Sequence, residues 1–394
     1  MIENPGGGDL SQLRRLNALA AIGALRGEPA LTLTEIAGRT GLSRASTEDV
    51  VRELLARGWV VEAAPTSGTV GRPARRYRFR ADAGRVLGID IGGHKVLALV
   101  ADLDGEVQHS ARVAVTPSMG RTERLAAVDE AVRAALAGAN TAATGVWVTG
   151  VATTGLVDGT GRVMLSEALP EWTGLDVAAH VGELVSGPVL VENDCKLAAL
   201  AESWRGVARH AKDVVFLLAG LRTGTGLIID GKLHRGFGNA AGEIGALPAA
   251  GWVRAAGHLR SWPADSPRTD GAGDPHTAAE DVFRAAREGD RKALTAVRRY
   301  VRDLSVGTSA LVLTLDPELV VIGGGFSRSA DLIVEPLRRE LDRWCLRTPE
   351  VRVSGFGDEG VALGALRLAL DHVDRGLSTS GEIAPPESFL MGRR

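Results

Sequence analysis

Four stretches of the 394-residue sequence place acids and glycines where they could handle a hydroxylated or phosphorylated ligand. In VLGIDIGGHKV, Asp90 ends an apolar run and is followed by Gly92 and Gly93. Glycines let backbone amides approach a phosphate closely, and a carboxylate beside them can face its metal ion. The same letters also spell an ordinary hairpin turn. Gly323, Gly324 and Gly325 follow a second apolar run and read either as a helix-entry turn or as a flat surface for a purine. In PVLVENDCKLAAL, Asn193 and Asp194 lie between a strand and a helix, where the carboxylate could take a hydroxyl proton as general base. Both residue types are equally at home as helix caps. Glu243, in AGEIG, sits on a glycine-bordered loop, able to accept hydroxyl hydrogen bonds or simply to be solvated.

These positions require alternating strands and helices, and the sequence from Val86 onward has that pattern. VLGIDIGGHKVLALVADLDGEV gives strand, Gly-Gly turn, strand, Asp104-Gly105 hairpin turn and strand. VVFLLAGLRTGTGLIIDGKL repeats the order, with its own hairpin at Asp230-Gly231. A unit used twice predicts two similar lobes with a cleft between them. Helical patterns cover 121–137, 193–205 and 278–315, and the Ser-, Thr- and Pro-rich tail from 377 to 394 reads as loose.

The first part of the chain differs in charge and pattern. Up to Ala83 it carries twelve Arg and no Lys against nine acids, so it is basic although the whole chain has a net charge of −2. Leu13, Leu16, Leu19, Ala20 and Ile22 predict a first amphipathic helix. A short helix then runs from about Thr34 to Thr40, Gly41 makes the turn, and Ser43 caps a longer helix. In that longer helix Thr47, Val50, Val51, Leu54 and Leu55 form the buried stripe, with Arg44, Glu48, Asp49 and Arg52 outward. Apolar alternation over 59–61 and 77–79 around a Gly/Pro/Thr-rich tip predicts a hairpin. The result is a winged helix-turn-helix over 1–82 whose wing carries Arg72, Arg75, Arg76, Arg78 and Arg80. Ser43, Arg44 and Ser46 are placed to read a DNA major groove, and Arg72, Arg75 and Arg76 to hold phosphates or the adjacent minor groove. The basic and acidic residues of the recognition helix cancel, so phosphate attraction falls mainly to the wing. Glu48 or Asp49 reads either as an acceptor for a cytosine amino group or as part of a solvated face.

Composition sets the remaining limits. The net charge of −2 excludes a uniformly basic nucleic-acid coat. Cys195 and Cys345 match no zinc or disulfide spacing, which predicts a reducing compartment and no thiolate metal site. No apolar run approaches the ~20 residues of a membrane span, and MIENPGGG has no leader character, so the expected location is the cytoplasm, without membrane partners.

DIGG at 90–93, VEND at 191–194, GNAAGEIG at 238–245 and LDPELVVIGGG at 315–325 occur in order, and together they resemble the ROK family of sugar kinases and sugar-responsive repressors. The attached winged helix and Gly71-Arg72-Pro73 resemble its regulator branch. The resemblance implies an α/β fold, with a two-lobed actin-like, ribonuclease-H-like domain over 83–376, and usually a homodimer or a dimer of dimers. It makes Asn193, Asp194 and Glu243 the ligands of a sugar or sugar phosphate, with Asp194 the base in the kinases. It makes Asp90, Gly92, Gly93 and Gly324 the nucleotide contacts. Three departures bear on function. Ala246 stands where the family commonly has a zinc-binding His, and no cysteine follows before Cys345, so zinc is not expected and His258 cannot replace the set. His94 replaces the phosphate-loop threonine. Leu221 and Arg222 replace the Thr-Gly of the second loop. The expected function is therefore a sugar-responsive regulator binding operator DNA, with no cofactor. The alternatives are a sugar kinase using ATP and Mg with an accessory DNA head, or a DNA-binding protein whose second domain only dimerises.

Overall fold

The computed structural model describes residues 10–64, 74–262, 275–379 and 383–386. The chain begins with α1 (Leu10–Leu25), β1 (Leu31–Thr32), α2 (Leu33–Thr40), α3 (Arg44–Arg57), β2 (Val60–Ala63) and β3 (Arg76–Phe79). Local chemistry sets these boundaries. Thr32 and Glu35 form a reciprocal capping box on α2, Gly41 ends it at φ +71°, Ser43 caps α3, and Gly58 ends α3 at φ +80°. The three strands pair in the order β1-β3-β2, so helix, helix, turn, helix and wing are all present. One expectation is corrected: α1 buries Ala18, Ala21, Ile22 and Leu25, while Leu13, Leu16 and Ala20 are exposed. The small alanines let α1 lie close to α2 and α3, and tertiary packing selects that face over the one richer in leucine.

A 3-10 turn at Ala81–Ala83 leads into lobe I. Here β4 (Arg85–Ile91), β5 (Lys95–Ala101), β6 (Val107–Ala114), α4 (Arg121–Gly138), β7 (Val146–Thr153), the small hairpin β8 (Leu156–Val157) and β9 (Val163–Leu165), α5 (Val177–Gly182) and β10 (Val189–Asn193) follow in turn. Helix α6 (Asp194–Arg205) connects to lobe II. That lobe holds β11 (Val214–Leu218), β12 (Gly224–Ile229), β13 (Lys232–Leu233), α7 (Trp252–Arg260), α8 (Pro275–Arg287), α9 (Arg291–Leu315), β14 (Leu319–Gly323), α10 (Ala330–Trp344) and β15 (Glu350–Val353). The main sheets run β10-β7-β4-β5-β6 and β15-β14-β11-β12-β13, each with three parallel strands continued by an antiparallel hairpin. The repeat read from the sequence is thus a repeat of topology. The 278–315 pattern divides into two helices, because Gly289 adopts φ +90° and the Asp290 carboxylate caps α9 through the Ala293 amide at 2.7 Å.

Helix α11 (Gly360–Thr379) then returns to lobe I. Its approach is set by missing side chains: a methyl at Gly88 or Gly150 would overlap the backbone of Ala362 or Ala365, and one at Gly364 would overlap the Leu197 carbonyl. Thus α11 touches β4, β7 and α6 at backbone distance. The expectation of a loose tail from 377 is corrected for the described part. Helix α11 runs on to Thr379, Leu377 and Ile383 are buried, and Arg57 and Trp59 donate to the Ile383 and Ala384 carbonyls at 2.5 and 2.8 Å. The winged head, lobe I and α11 share one apolar core. In it Trp59 stacks on Phe79 and meets Trp147 edge-on, with Leu366, Leu370 and Val373 alongside.

Candidate ligand cleft and nucleic-acid interface

The acids named from sequence converge where strand ends meet α6. Asn193 is the last residue of β10 and Asp194 the first of α6. The Asn193 side chain caps α6, accepting from the Cys195 and Lys196 amides at 2.9 and 3.2 Å and donating to the Gly155 carbonyl at 3.0 Å. It is buried, and its main work is to fix the strand-to-helix corner on which Asp194 stands. One Asp194 carboxylate oxygen, Oδ1, accepts from the Cys195 amide at 2.8 Å, and no protein donor reaches Oδ2 among the described residues. Loss of water pushes the Asp194 carboxyl up to about 7, and the negative charges of Asp90 and Glu243 add to the effect. A carboxyl so poised can accept a hydroxyl hydrogen bond when ionised. Glu243 opens a short 3-10 turn behind Gly242, which stands at φ +89°; burial raises its pKa and the Lys196 ammonium opposes the rise.

Sequence reasoning missed the residues that hold these acids in place. Glu192 is buried and receives Arg235 Nε at 2.6 Å, with Lys196 Nζ at 3.8 Å. Lys196, itself buried, donates to the Asn239 carbonyl, and Asn239 Nδ2 donates to the Val157 carbonyl at 3.1 Å. The loop carrying Glu243 is thereby tied to lobe I and α6 at three points. Glu192, inside the VEND motif, and Lys196, two residues past it, are both buried and lie four residues apart; such charges are rarely buried unpaired, but the sequence alone does not show that they are buried.

The nucleotide half of the cleft departs from a phosphate site. Asp90, buried, holds Lys95 Nζ at 2.6 Å, and Lys95 also donates to the Asp358 carbonyl at 2.6 Å. Gly92 closes a hairpin through its amide to the Lys95 carbonyl at 2.9 Å, and Gly93 follows it in the bend. Buried Arg124, also missed, pins this turn by donating to the Gly92 carbonyl at 2.6 Å and the Thr116 carbonyl at 2.7 Å. Gly324, at φ +83°, is required by contact with the Ala219 backbone. Leu221 packs toward the lobe II core, while Arg222 reaches across to the Glu167 carbonyl of lobe I at 2.5 Å. Among the described residues no three His, Cys, Asp or Glu gather as a metal site, and His258 is engaged by Asp303 at 3.0 Å. In the segment after Ala246, Trp252 is buried, donates to the Leu304 carbonyl at 3.0 Å, and fits against Gly307.

On the head, Ser43 Oγ accepts the Ser46 amide at 3.1 Å and lies 2.8 Å from Ser46 Oγ, so both hydroxyls are tied into the cap. Arg44 is exposed, with no ion pair among the described residues. Arg52 is drawn to Glu48 and Asp49, at 3.6 and 2.9 Å, which leaves those two acids partnered on the solvated face. Arg75 meets Glu62 at 3.5 Å. Arg76 turns inward to the Ala30 carbonyl at 2.8 Å and Glu35 at 3.5 Å, bracing β3 against β1. Arg72 lies outside the described residues. Arg78, exposed and without an ion pair among the described residues, is a further cation available on this face.

Comparison with known proteins agrees with this architecture. The ROK family profile matches residues 86–372, and an IclR helix-turn-helix profile matches 16–63. A xylose repressor of Caldicellulosiruptor bescii is 24% identical over 92% of this chain and 97% of its own length. The glucokinase of Streptomyces coelicolor is 27% identical over 73% of this chain and 98% of its own. Among solved structures, a ROK family transcriptional regulator homologous to the E. coli MLC protein matches 97% of this chain and all of its own, at TM-score 0.67 and 18% identity. A Streptomyces griseus ROK glucokinase, solved with glucose and AMPPNP, matches 73% of this chain and all of its own, at TM-score 0.61 and 26% identity. With its two repeated sheets, the acids at their strand ends and a family profile spanning both lobes, the chain belongs to the ROK family.

Proposed function

We propose that the chain is a sugar-responsive DNA-binding repressor of carbohydrate genes, acting in the cytoplasm as a homo-oligomer without a cofactor. The observation that carries this reading is the shared core: the winged head is packed into the lobe whose strand ends form the cleft. Asp194 and Glu243 hold the sugar hydroxyls, while Asn193, Glu192 and Lys196 keep their carboxylates in place. Arg44 faces the major groove and Arg75, Arg78 and the wing supply phosphate contacts; Ser43, Ser46 and Arg76 act through the shape of the helix and wing. Sugar shifts the lobes toward closure only insofar as it binds the closed arrangement better, and the heads follow because lobe I carries them.

The names of the full-length relatives make xylose the first sugar to try. Kinase turnover is disfavoured by the Lys95 clamp on Asp90 and by Arg222 in the second loop, so sugar-dependent ATP consumption is expected to stay at background. The test is a titration against the gene's own upstream DNA and a scrambled control at two salt concentrations, with and without a sugar panel. Preference for the upstream DNA that one sugar abolishes supports the reading. Equal binding to both DNAs under all conditions refutes it.

A further inference from the structure

A cavity of about 640 Å³ opens at the end of α6 that points away from the cleft acids. Small-molecule sites commonly enclose about 300–1,000 Å³. Helix α6 rises about 18 Å over its length, so the cavity is a place of its own and no extension of the Asp194 site. Both crossings between the lobes line it. Arg205, Arg209 and His210 come from the end of α6 and the segment leading to β11, and Phe356 from the segment between β15 and α11. Lobe II closes it with Glu318 and Leu319 at the start of β14. The walls are held by bonds between these parts. Arg205 lies 4.2 Å over the Trp204 ring and donates to the Gly105 carbonyl of lobe I at 3.0 Å. Arg352 holds Glu350 at 2.7 Å and donates to the Val207 carbonyl at 3.2 Å. Buried Glu202 joins the two crossings, accepting from the Val207 amide at 2.9 Å and from the Ser354 hydroxyl.

The groups that these bonds leave unspent define a ligand. Arg209 donates its Nε to His210 Nε2 at 3.0 Å, and among the described residues no acid pairs with its guanidinium. The same bond leaves the other imidazole nitrogen of His210 as a donor. A guanidinium and an imidazole side by side, both exposed, match the oxygens of a phosphate. Glu318 has the opposite preference. Its Oε1 accepts the Lys212 and Asp213 amides at 2.9 and 3.4 Å, whereas Oε2 meets no protein donor among the described residues. A carboxylate oxygen of this kind repels a phosphate and accepts from hydroxyl groups. Leu319 and half-buried Phe356 add an apolar wall against which a ring can lie. A ligand that satisfies all three features carries a phosphate at one end and hydroxyls on a compact ring at the other.

We infer that this cavity is a second small-molecule site, separate from the cleft, which takes a sugar phosphate with its phosphate on Arg209 and His210 and its hydroxyls on Glu318. Binding there needs neither DNA nor a sugar in the cleft, so the inference stands or falls apart from the repressor reading. The test is calorimetric titration of the full chain, as wild type and as Asp194→Asn, at fixed ionic strength. The probes are glucose 6-phosphate, ribose 5-phosphate, inorganic phosphate and AMP. In Asp194→Asn, where the cleft is disabled, one of the sugar phosphates should still bind, at one per chain and about tenfold or more tighter than inorganic phosphate. Adding Arg209→Glu should weaken that binding about 30-fold or more, and His210→Ala about fivefold, because each removes a donor to the phosphate. Thermal unfolding should be unchanged by either, since both side chains are exposed. No binding of either sugar phosphate at roughly 10 mM would overturn the inference. So would binding that Asp194→Asn abolishes, which puts the ligand in the cleft, or binding that Arg209→Glu leaves intact. Equal affinity for inorganic phosphate would reduce the site to a bare anion contact, and tighter binding of AMP would replace the sugar phosphate by a nucleotide; either result overturns the assignment.

Discussion

At the scale of the residue, Asp194 carries the most direct consequences. Its carboxyl moves from the ordinary 3.8 to about 7 through burial beside Asp90 and Glu243. The folded chain therefore keeps a proton that the unfolded chain has released over that interval, and stability falls as pH rises from 4 toward 7. Asp194→Asn should remove much of this slope, so thermal unfolding should find it more stable relative to wild type at pH 8 than at pH 5. Sugar affinity should move the opposite way in wild type, improving as pH passes about 7 and the acceptor ionises. Calorimetric titration at pH 6 and 8 measures it, and the Asn variant should lose binding at both. On the head, Arg44→Ala and Arg78→Ala should each weaken operator binding and lower the salt slope by roughly one. Arg76→Ala should instead lower the head's stability, because that side chain is spent on the Ala30 carbonyl.

Elements explain what was legible in the sequence and what was not. The two strand-turn-strand units, the Gly41 turn and the Ser43 cap are local signals, and each stands where the pattern placed it. Asn193, Asp194 and Glu243 were legible one by one only as cap or loop residues with an alternative use; the family resemblance joined them as a set, and the structure brings the Asp194 and Glu243 charges close enough to interact. The burying face of α1 was not legible, because the partner helices decide it and favour close-fitting alanines over leucines. Nor were Arg124, Lys196 and Arg235, whose roles depend on backbone carbonyls and acids distant in sequence. The course of α11 is similar: its glycine contacts lie between segments some two hundred residues apart. Those contacts allow a sharp test. Gly150→Ala puts a methyl into the Ala365 backbone and should cost ~1–3 kcal/mol, read by denaturant unfolding, although alanine is the smallest possible addition. Gly159→Ala, with open space around it, should cost little.

For the whole molecule, head and lobe I behave as one body. Besides the Trp59, Phe79 and Trp147 cluster, Arg26 pairs with Asp374 and donates to the Leu103 carbonyl at 2.7 Å, and Gly27 donates to Asp104 at 3.2 Å. A ligand signal passing through such a joint moves the head as a unit and does not release it. Trp59→Ala should cost ~3–5 kcal/mol and blunt the response of DNA binding to sugar while leaving sugar affinity near wild type, measured by operator binding and calorimetry on the same protein. The joint also has a consequence in time. The carbonyls of Ile383 and Ala384 that meet Arg57 and Trp59 are synthesised more than three hundred residues after the head they complete. While the chain is still on the ribosome its DNA-binding end can fold but cannot be seated. Only a molecule made past Ala384 presents the head in its working position, and a stop before Ile383 would impair the activity of the head.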